Sequence, residues 1–197
     1  MSKKHKLLMS MLVVGITGSL AAFGVFSAFS SQTSNPGNSF SAGTVNISDN
    51  DGDVAAYNVS NGKPGSTQSK CVRVLYTGSL DSDVHLYTPE AIGALGPYVN
   101  LSITPGTQAT PNPNCTGFTP DAGGPVFSGT LSAWRTAHHD WGTGLNVVPS
   151  GGATKWATND AVVYQIQATL ADDNNANGVS SSLSTGSHSF VWEARNQ

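Results

Sequence analysis

The chain opens on one long apolar run and then changes texture. Leu7 to Phe29 is apolar over about 23 residues, the length of a bilayer span. From Phe40 onward the apolar residues come in short alternating segments, separated by Gly, Pro, Asn, Asp and Ser. "FSAGTVNIS" from Phe40 reads as a strand interrupted by Gly43, Asp49 to Asp53 as a turn, and "VAAYNVS" as a second strand. "NGKPGS" from Asn61 is a Pro-Gly loop. "KCVRVLYTG" is rich in β-branched residues and predicts a central strand, with "DVHLYT" following after a short turn. "YVNLSIT" alternates, placing Val99, Leu101 and Ile103 on one face. "VVYQIQATL" does the same with Val162, Tyr164, Ile166, Ala168 and Leu170. "VFSGTL" and "SFVWEA" complete the strand pattern, the latter with Phe190 and Trp192 on one face.

Two helices are expected. Thr88-Pro89-Glu90 predicts a cap, with Pro89 at the first position of a short helix through "AIGAL". "LSAWRTAHHDW" places Leu131, Trp134, His138 and Trp141 near one helical face. The stretch "TPGTQATPNPNCTGFTPDAGGP" reads as a long loop. Short alternating strands with turn-rich links, and no βαβ alternation, predict an all-β fold. The expected architecture is an antiparallel β-sandwich of jelly-roll type with one or two short helices, preceded by an N-terminal signal helix.

Composition narrows the function. The formal net charge is −3. Setting aside Lys3, Lys4 and Lys6 leaves six basic residues against twelve acidic ones, near −6. Such a chain lacks the basic footprint of a nucleic-acid partner. Lys3, Lys4, His5 and Lys6 ahead of the apolar run form the n-region of a signal peptide. Val25 and Ser27 are acceptable at −3 and −1 for cleavage between Ser27 and Ala28. An uncleaved membrane anchor is the competing reading, because the run is long for a signal. The only two cysteines, Cys71 and Cys115, read as one disulfide in an exported chain. Closing a loop of about 45 residues stabilises by roughly 4 kcal/mol on the chain-entropy model. Two free thiols are the alternative.

Catalytic motifs are absent from the sequence. There is no H-E-x-x-H and no G-x-S-x-G elbow, and the carboxylates sit mostly in turns. His138, His139 and Asp140 are the nearest thing to a zinc cluster. Neighbouring residues on a helix point about 100° apart, so an exposed polar helix end is the simpler reading. Asp49, Asp51 and Asp53 beside Gly52 resemble the first part of a calcium loop, without the closing bidentate Glu. Solvated β-turns are the simpler reading there too. No cofactor is therefore expected, with calcium or zinc at these positions the weak exceptions.

The junction "SAFSSQTSNPGNSFSAGTVNIS" resembles that of the TasA/camelysin family, in which a dedicated signal peptidase of the SipW type cleaves before an Ala-Phe pair. Ala28-Phe29 matches that pair. Phe40, Ala42, Gly43, Thr44, Val45 and Ile47 match the strand that follows. Asn61, Lys63, Pro64 and Gly65 look like the family's Asn-Leu-x-Pro-Gly loop, and Gly78, Ser79 and Leu80 like its N-G-S-L strand end. "SFVWEARNQ" is similar to its last strand. The cysteine pair and Ser30 after Ala-Phe depart from the pattern and look like an actinobacterial-type branch.

The resemblance implies a secreted subunit, located in the extracellular matrix or at the cell surface, that polymerises head to tail into biofilm-matrix fibres. Residues 1–27 would be the signal and residues 39–197 the jelly-roll domain. Between them, residues 28–38 would be donated as a strand to the next subunit: Ala28, Phe29, Ser30, Ser31 and Gln32, with Phe29 as anchor and Pro36-Gly37 as hinge. The alternative for residues 28–38 is a disordered terminus. The implied partners are the chain itself, the signal peptidase and an accessory anchoring protein, with membrane association only before cleavage. Two other functions stay open: a camelysin-like cell-envelope metallo-endopeptidase, and a monomeric adhesin or fibre-anchoring protein of the same fold.

Overall fold

The computed structural model describes residues 3–5, 9, 11, 41–52, 54–149, 153–172 and 183–196. The chain divides into two compact units, Met1–Ser41 and Ala42–Gln197. In the first, residues 3–5, 9 and 11 are helical. The second is all-β: two antiparallel sheets form a sandwich around one apolar core.

The six-stranded sheet runs β1 (Ile47–Asp49), β2 (Thr67–Tyr76), β8 (Ala161–Leu170), β4 (Val99–Gln108) and β5 (Phe118–Pro120), with β6 (Phe127–Thr130) also on β4. The three-stranded sheet runs β7 (Leu145–Asn146), β3 (Asp83–Tyr87) and β9 (Val191–Arg195). The chain crosses between sheets from β2 to β3, β3 to β4, β6 to β7, β7 to β8 and β8 to β9, a winding of jelly-roll kind. Alternation puts Val72, Val74 and Tyr76 of β2, Leu101 and Ile103 of β4, and Tyr164 and Ile166 of β8 on the inner face. They meet Val84 and Leu86 of β3, with Trp192 and Ala194 of β9 packed alongside. The Tyr164 and Trp192 rings, one from each sheet, lie 5.5 Å apart.

One helix, α1 (Leu131–Ala137), caps the core with Leu131 and Trp134 buried beneath it. Thr130 is its N-cap, the hydroxyl accepting from Ala133 N at 3.1 Å. The Trp134 indole N–H donates to the buried Thr88 hydroxyl at 2.9 Å.

Four expectations are corrected. The helix after Pro89 does not form. Gly93 N and Leu95 N donate to Thr185 O and Ser184 O instead of to helical carbonyls, and only a 3-10 turn at Gly96–Tyr98 follows. The 131–141 helix stops at Ala137, where His138 leaves helical geometry. "VAAYNVS" is not a strand. Asn50 Oδ1 takes the next ladder donor, Arg73 N, at 2.7 Å, and the chain then peels away from β2. Finally, β4 continues through Pro105-Gly106 to Gln108, where a loop was expected. β4 changes partner from β6 to β5 at this point, so the missing Pro105 N–H faces the gap between them.

Candidate functional site

The sandwich is least closed between its two sheet edges on the β1 side. β1 is only three residues long and forms the outer edge of the large sheet. β9 is an edge strand of the small sheet, paired only with β3 among the described residues. Between them runs a groove of about 280 Å³, lined by Ile47, Ser48, Asp49, Val74, Phe190, Val191 and Trp192. Ile47 and Val74 enter it because both belong to inward-facing positions of the β1–β2 ladder.

One residue that lines the groove also holds a buried polar group. The indole nitrogen of Trp192 is buried and has no hydrogen-bond partner of ordinary geometry among the described residues. Tyr164 is close enough to this indole for it to hold back slightly the rise that burial imposes on the phenol. An unmade hydrogen bond at a buried N–H costs about 1–3 kcal/mol.

Beside the groove, residues 54–58 cross from β1 toward β9 as a strap. The ammonium of Lys70, buried at the end of the inner face of β2, donates to the Val54 and Ala55 carbonyls. Tyr57 reaches the other sheet's approach segment: its hydroxyl meets His188 Nε2, and its ring is edge-on to Phe190 at 6.3 Å. Burial raises the Tyr57 pKa well above its ordinary value, so this hydroxyl remains a donor.

The candidate residues from sequence fall as follows. The cleavage pair Ser27 and Ala28, the donor residues Ala28, Phe29, Ser30, Ser31 and Gln32, the hinge Pro36-Gly37, and Asp53 all lie outside the described residues. Cys71 and Cys115 are disulfide-bonded with Cα atoms 5.1 Å apart. Asp49 lies at the groove rim and accepts from Asp51 N at 3.1 Å, closing a turn.

His138, His139 and Asp140 do not converge. The His138 ring packs on Trp134 at 4.4 Å, while His139 Nδ1 lies 3.3 Å from Thr136 O. His139 Nε2 lies 3.5 Å from the Asp140 carboxylate, which also accepts from Thr143 N and Oγ1. The Thr143 hydrogen bonds hold the Asp140 pKa below the ordinary carboxylate range. Among the described residues, no three His, Cys, Asp or Glu side chains are placed to share a metal ion.

A second cluster, unforeseen in the sequence, covers the outer face of the small sheet. His85 stacks on Trp141 at 4.0 Å and 9°, and the Arg195 guanidinium lies 4.5 Å from the same ring. Glu193 accepts from Arg195 Nε at 2.7 Å and from the Tyr87 hydroxyl at 2.8 Å. These bonds, Arg195's first, hold the Glu193 carboxyl below its ordinary pKa against the opposing effect of partial burial. The alternation that put His85, Tyr87, Glu193 and Arg195 outward was legible; their convergence on Trp141 was not.

An antiparallel β-sandwich with short edge strands and an apolar groove between them defines the structural class: a sandwich with an unfilled edge. Residues 2–94, slightly less than half of the chain, match the model of the family described as camelysin metallo-endopeptidase. That N-terminal part of the chain is thus similar to the camelysin family. No curated protein matches the chain significantly. Among the described residues, no helix is long and apolar enough to cross a membrane.

Proposed function

We propose that this protein is a secreted structural subunit that polymerises into extracellular, biofilm-matrix fibres by donating its mature N-terminal strand to a neighbouring copy. In this reading residues 1–27 are a signal peptide removed between Ser27 and Ala28 by a peptidase of the SipW type. Residues 28–38 are donor and hinge, and residues 39–197 are the sandwich. The partner is the chain itself, head to tail, with an accessory anchoring protein at the cell surface, and no cofactor takes part.

The observation that supports it most is the groove between β1 and β9, where two edges unpaired among the described residues flank Ile47, Val74, Phe190 and Trp192. An extended segment with one aromatic anchor, as Phe29 would be, suits such a site. Edge backbone groups pair with the incoming main chain, while the apolar floor takes alternate side chains. A contact of this kind does not close on itself, so it propagates. The endopeptidase alternative is not favoured: the described residues supply no convergent donor set.

The test compares protein beginning at Ala28 with protein beginning at Ser39. Electron microscopy and sedimentation should show filaments from the first and monomers from the second. Monomers from both across salt and pH would overturn the proposal.

A further inference from the structure

We propose that the outward face of the six-stranded sheet binds a neutral polysaccharide chain. The ladder pairings arrange this face in rows. One row carries Thr67, Thr169, Asn100 and Thr130 across β2, β8, β4 and β6. The next carries Ser69, Gln167, Ser102 and Ser128. None of these positions is charged, and every one is a hydroxyl or an amide.

Few of these groups are used internally. Thr67 and Thr169 bond each other at 2.9 Å, and Thr130 caps α1. Asn100, Ser128 and Gln167 are exposed and Ser102 half-exposed, and their side chains make no hydrogen bond with the rest of the described residues. These four side chains and Thr169 line a trough of about 210 Å³ floored by Leu101 and Gly129. A trough this small does not enclose a compact ligand, whose pockets run to about 300–1,000 Å³. It is continuous with the open rows, and an extended polymer can lie across both.

Another part of the same face is covered. The disulfide between Cys71 and Cys115 fastens the 109–117 loop beside the second row, and Ser69 Oγ sits 3.8 Å from Cys115 Sγ. Further along, the Phe118 ring lies over Gly106. The loop is thus a wall and the two polar rows are the open floor.

Charge and polarity select the occupant. An anionic polymer or nucleic acid would need basic side chains, which these rows lack. A second protein copy would need an apolar centre to its interface, and the open rows offer none. A polyhydroxylated, uncharged chain needs what is present: amides and hydroxyls free to donate and accept. Repeated about every 7 Å along a strand and about 4.8 Å between strands, they match the scale of successive sugar rings.

The test is native affinity electrophoresis of the full chain through gels containing hydroxyethyl cellulose, dextran or polygalacturonate. Retardation is expected in at least one neutral glucan and not in polygalacturonate. The S102A/S128A/Q167A variant should lose about fivefold or more of that affinity, since several hydrogen bonds go at once. Ser102→Lys, which fills the trough, should abolish it, with both variants keeping the parent's denaturation midpoint. No retardation by either neutral glucan, retardation only by polygalacturonate, or equal retardation of parent and triple variant would overturn the proposal. A sedimenting dimer that the triple variant loses would assign the face to a second copy and overturn it as well. None of these outcomes depends on whether the chain forms fibres.

Discussion

Tyr57 and His188, 131 residues apart in sequence, hydrogen-bond through Oη and Nε2 and so fasten the strap after β1 to the segment before β9. His188 Nδ1 lies 3.1 Å from Gly186 O, which can only accept. A proton on Nδ1 suits this contact, with Nε2 then accepting from Tyr57. Tyr57→Phe keeps the ring against Phe190 and removes only this bond. It should cost about 1 kcal/mol in urea denaturation and speed hydrogen exchange at residues 54–58. Unchanged exchange there would show that the strap is held by Lys70 alone.

The Glu193 carboxyl, held below its ordinary 4.5 by Arg195 and Tyr87, makes stability fall in acid. Its folded pKa is depressed, so its contribution is complete above the unfolded value. The contribution is lost as pH drops from about 4.5 through the lower folded pKa. Glu193→Gln should flatten that part of the stability profile. The effect is a few tenths to about 1 kcal/mol, because the ion pair is partly exposed. Denaturation midpoints between pH 3 and 7 for parent and variant check it. Parallel curves would remove Glu193 from the acid response.

Replacing both cysteines by Ala removes a cross-link between residues 44 apart in sequence. On the loop-entropy model the loss is about 4 kcal/mol. The 109–117 loop should become more protease-sensitive, while β2 keeps its pairing with β8. Cleavage elsewhere first would contradict the loop's placement as the element the bond secures.

Gly106 faces a backbone obstacle. A Cβ there would run into Thr119 O and press on the Phe118 ring at 2.8 Å. A carbonyl in a strand partner cannot step aside as a flexible side chain can. Gly106→Ala should therefore part β5 from β4 and cost about 2–3 kcal/mol in a denaturation experiment. A neutral result would mean that β5 shifts freely.

Much of the sandwich was readable in the chain. Tyr164 through Ala168 and Val99 through Ile103 alternate, and a strand buried on one face has few other ways to place them. The strands that were misread carry weaker or misleading local signals. "VAAYNVS" has strand composition, yet Val54 is 61% exposed, because Asn50 and Lys70 take over the backbone pairing that a strand would need. Pro89 offers a good helix start, but Gly93 and Leu95 find carbonyls in residues 184–185, far along the chain. Both outcomes depend on partners that no local window contains.

What the sequence alone determined is the period-two burial pattern, the cysteine pair, and a junction that resembles that of the TasA/camelysin family. These follow from local chemistry: side-chain alternation, composition, and a short motif. Tertiary structure alone decided which edges stay open and which polar groups come together. Trp192 and Ile47 share a groove because β9 and β1 end up as facing edges of different sheets. Gln167, Ser102 and Ser128 form one row because three antiparallel strands settle in one register. Register and sheet order are set by the packing of the whole core, so residues distant in sequence become neighbours only when it closes.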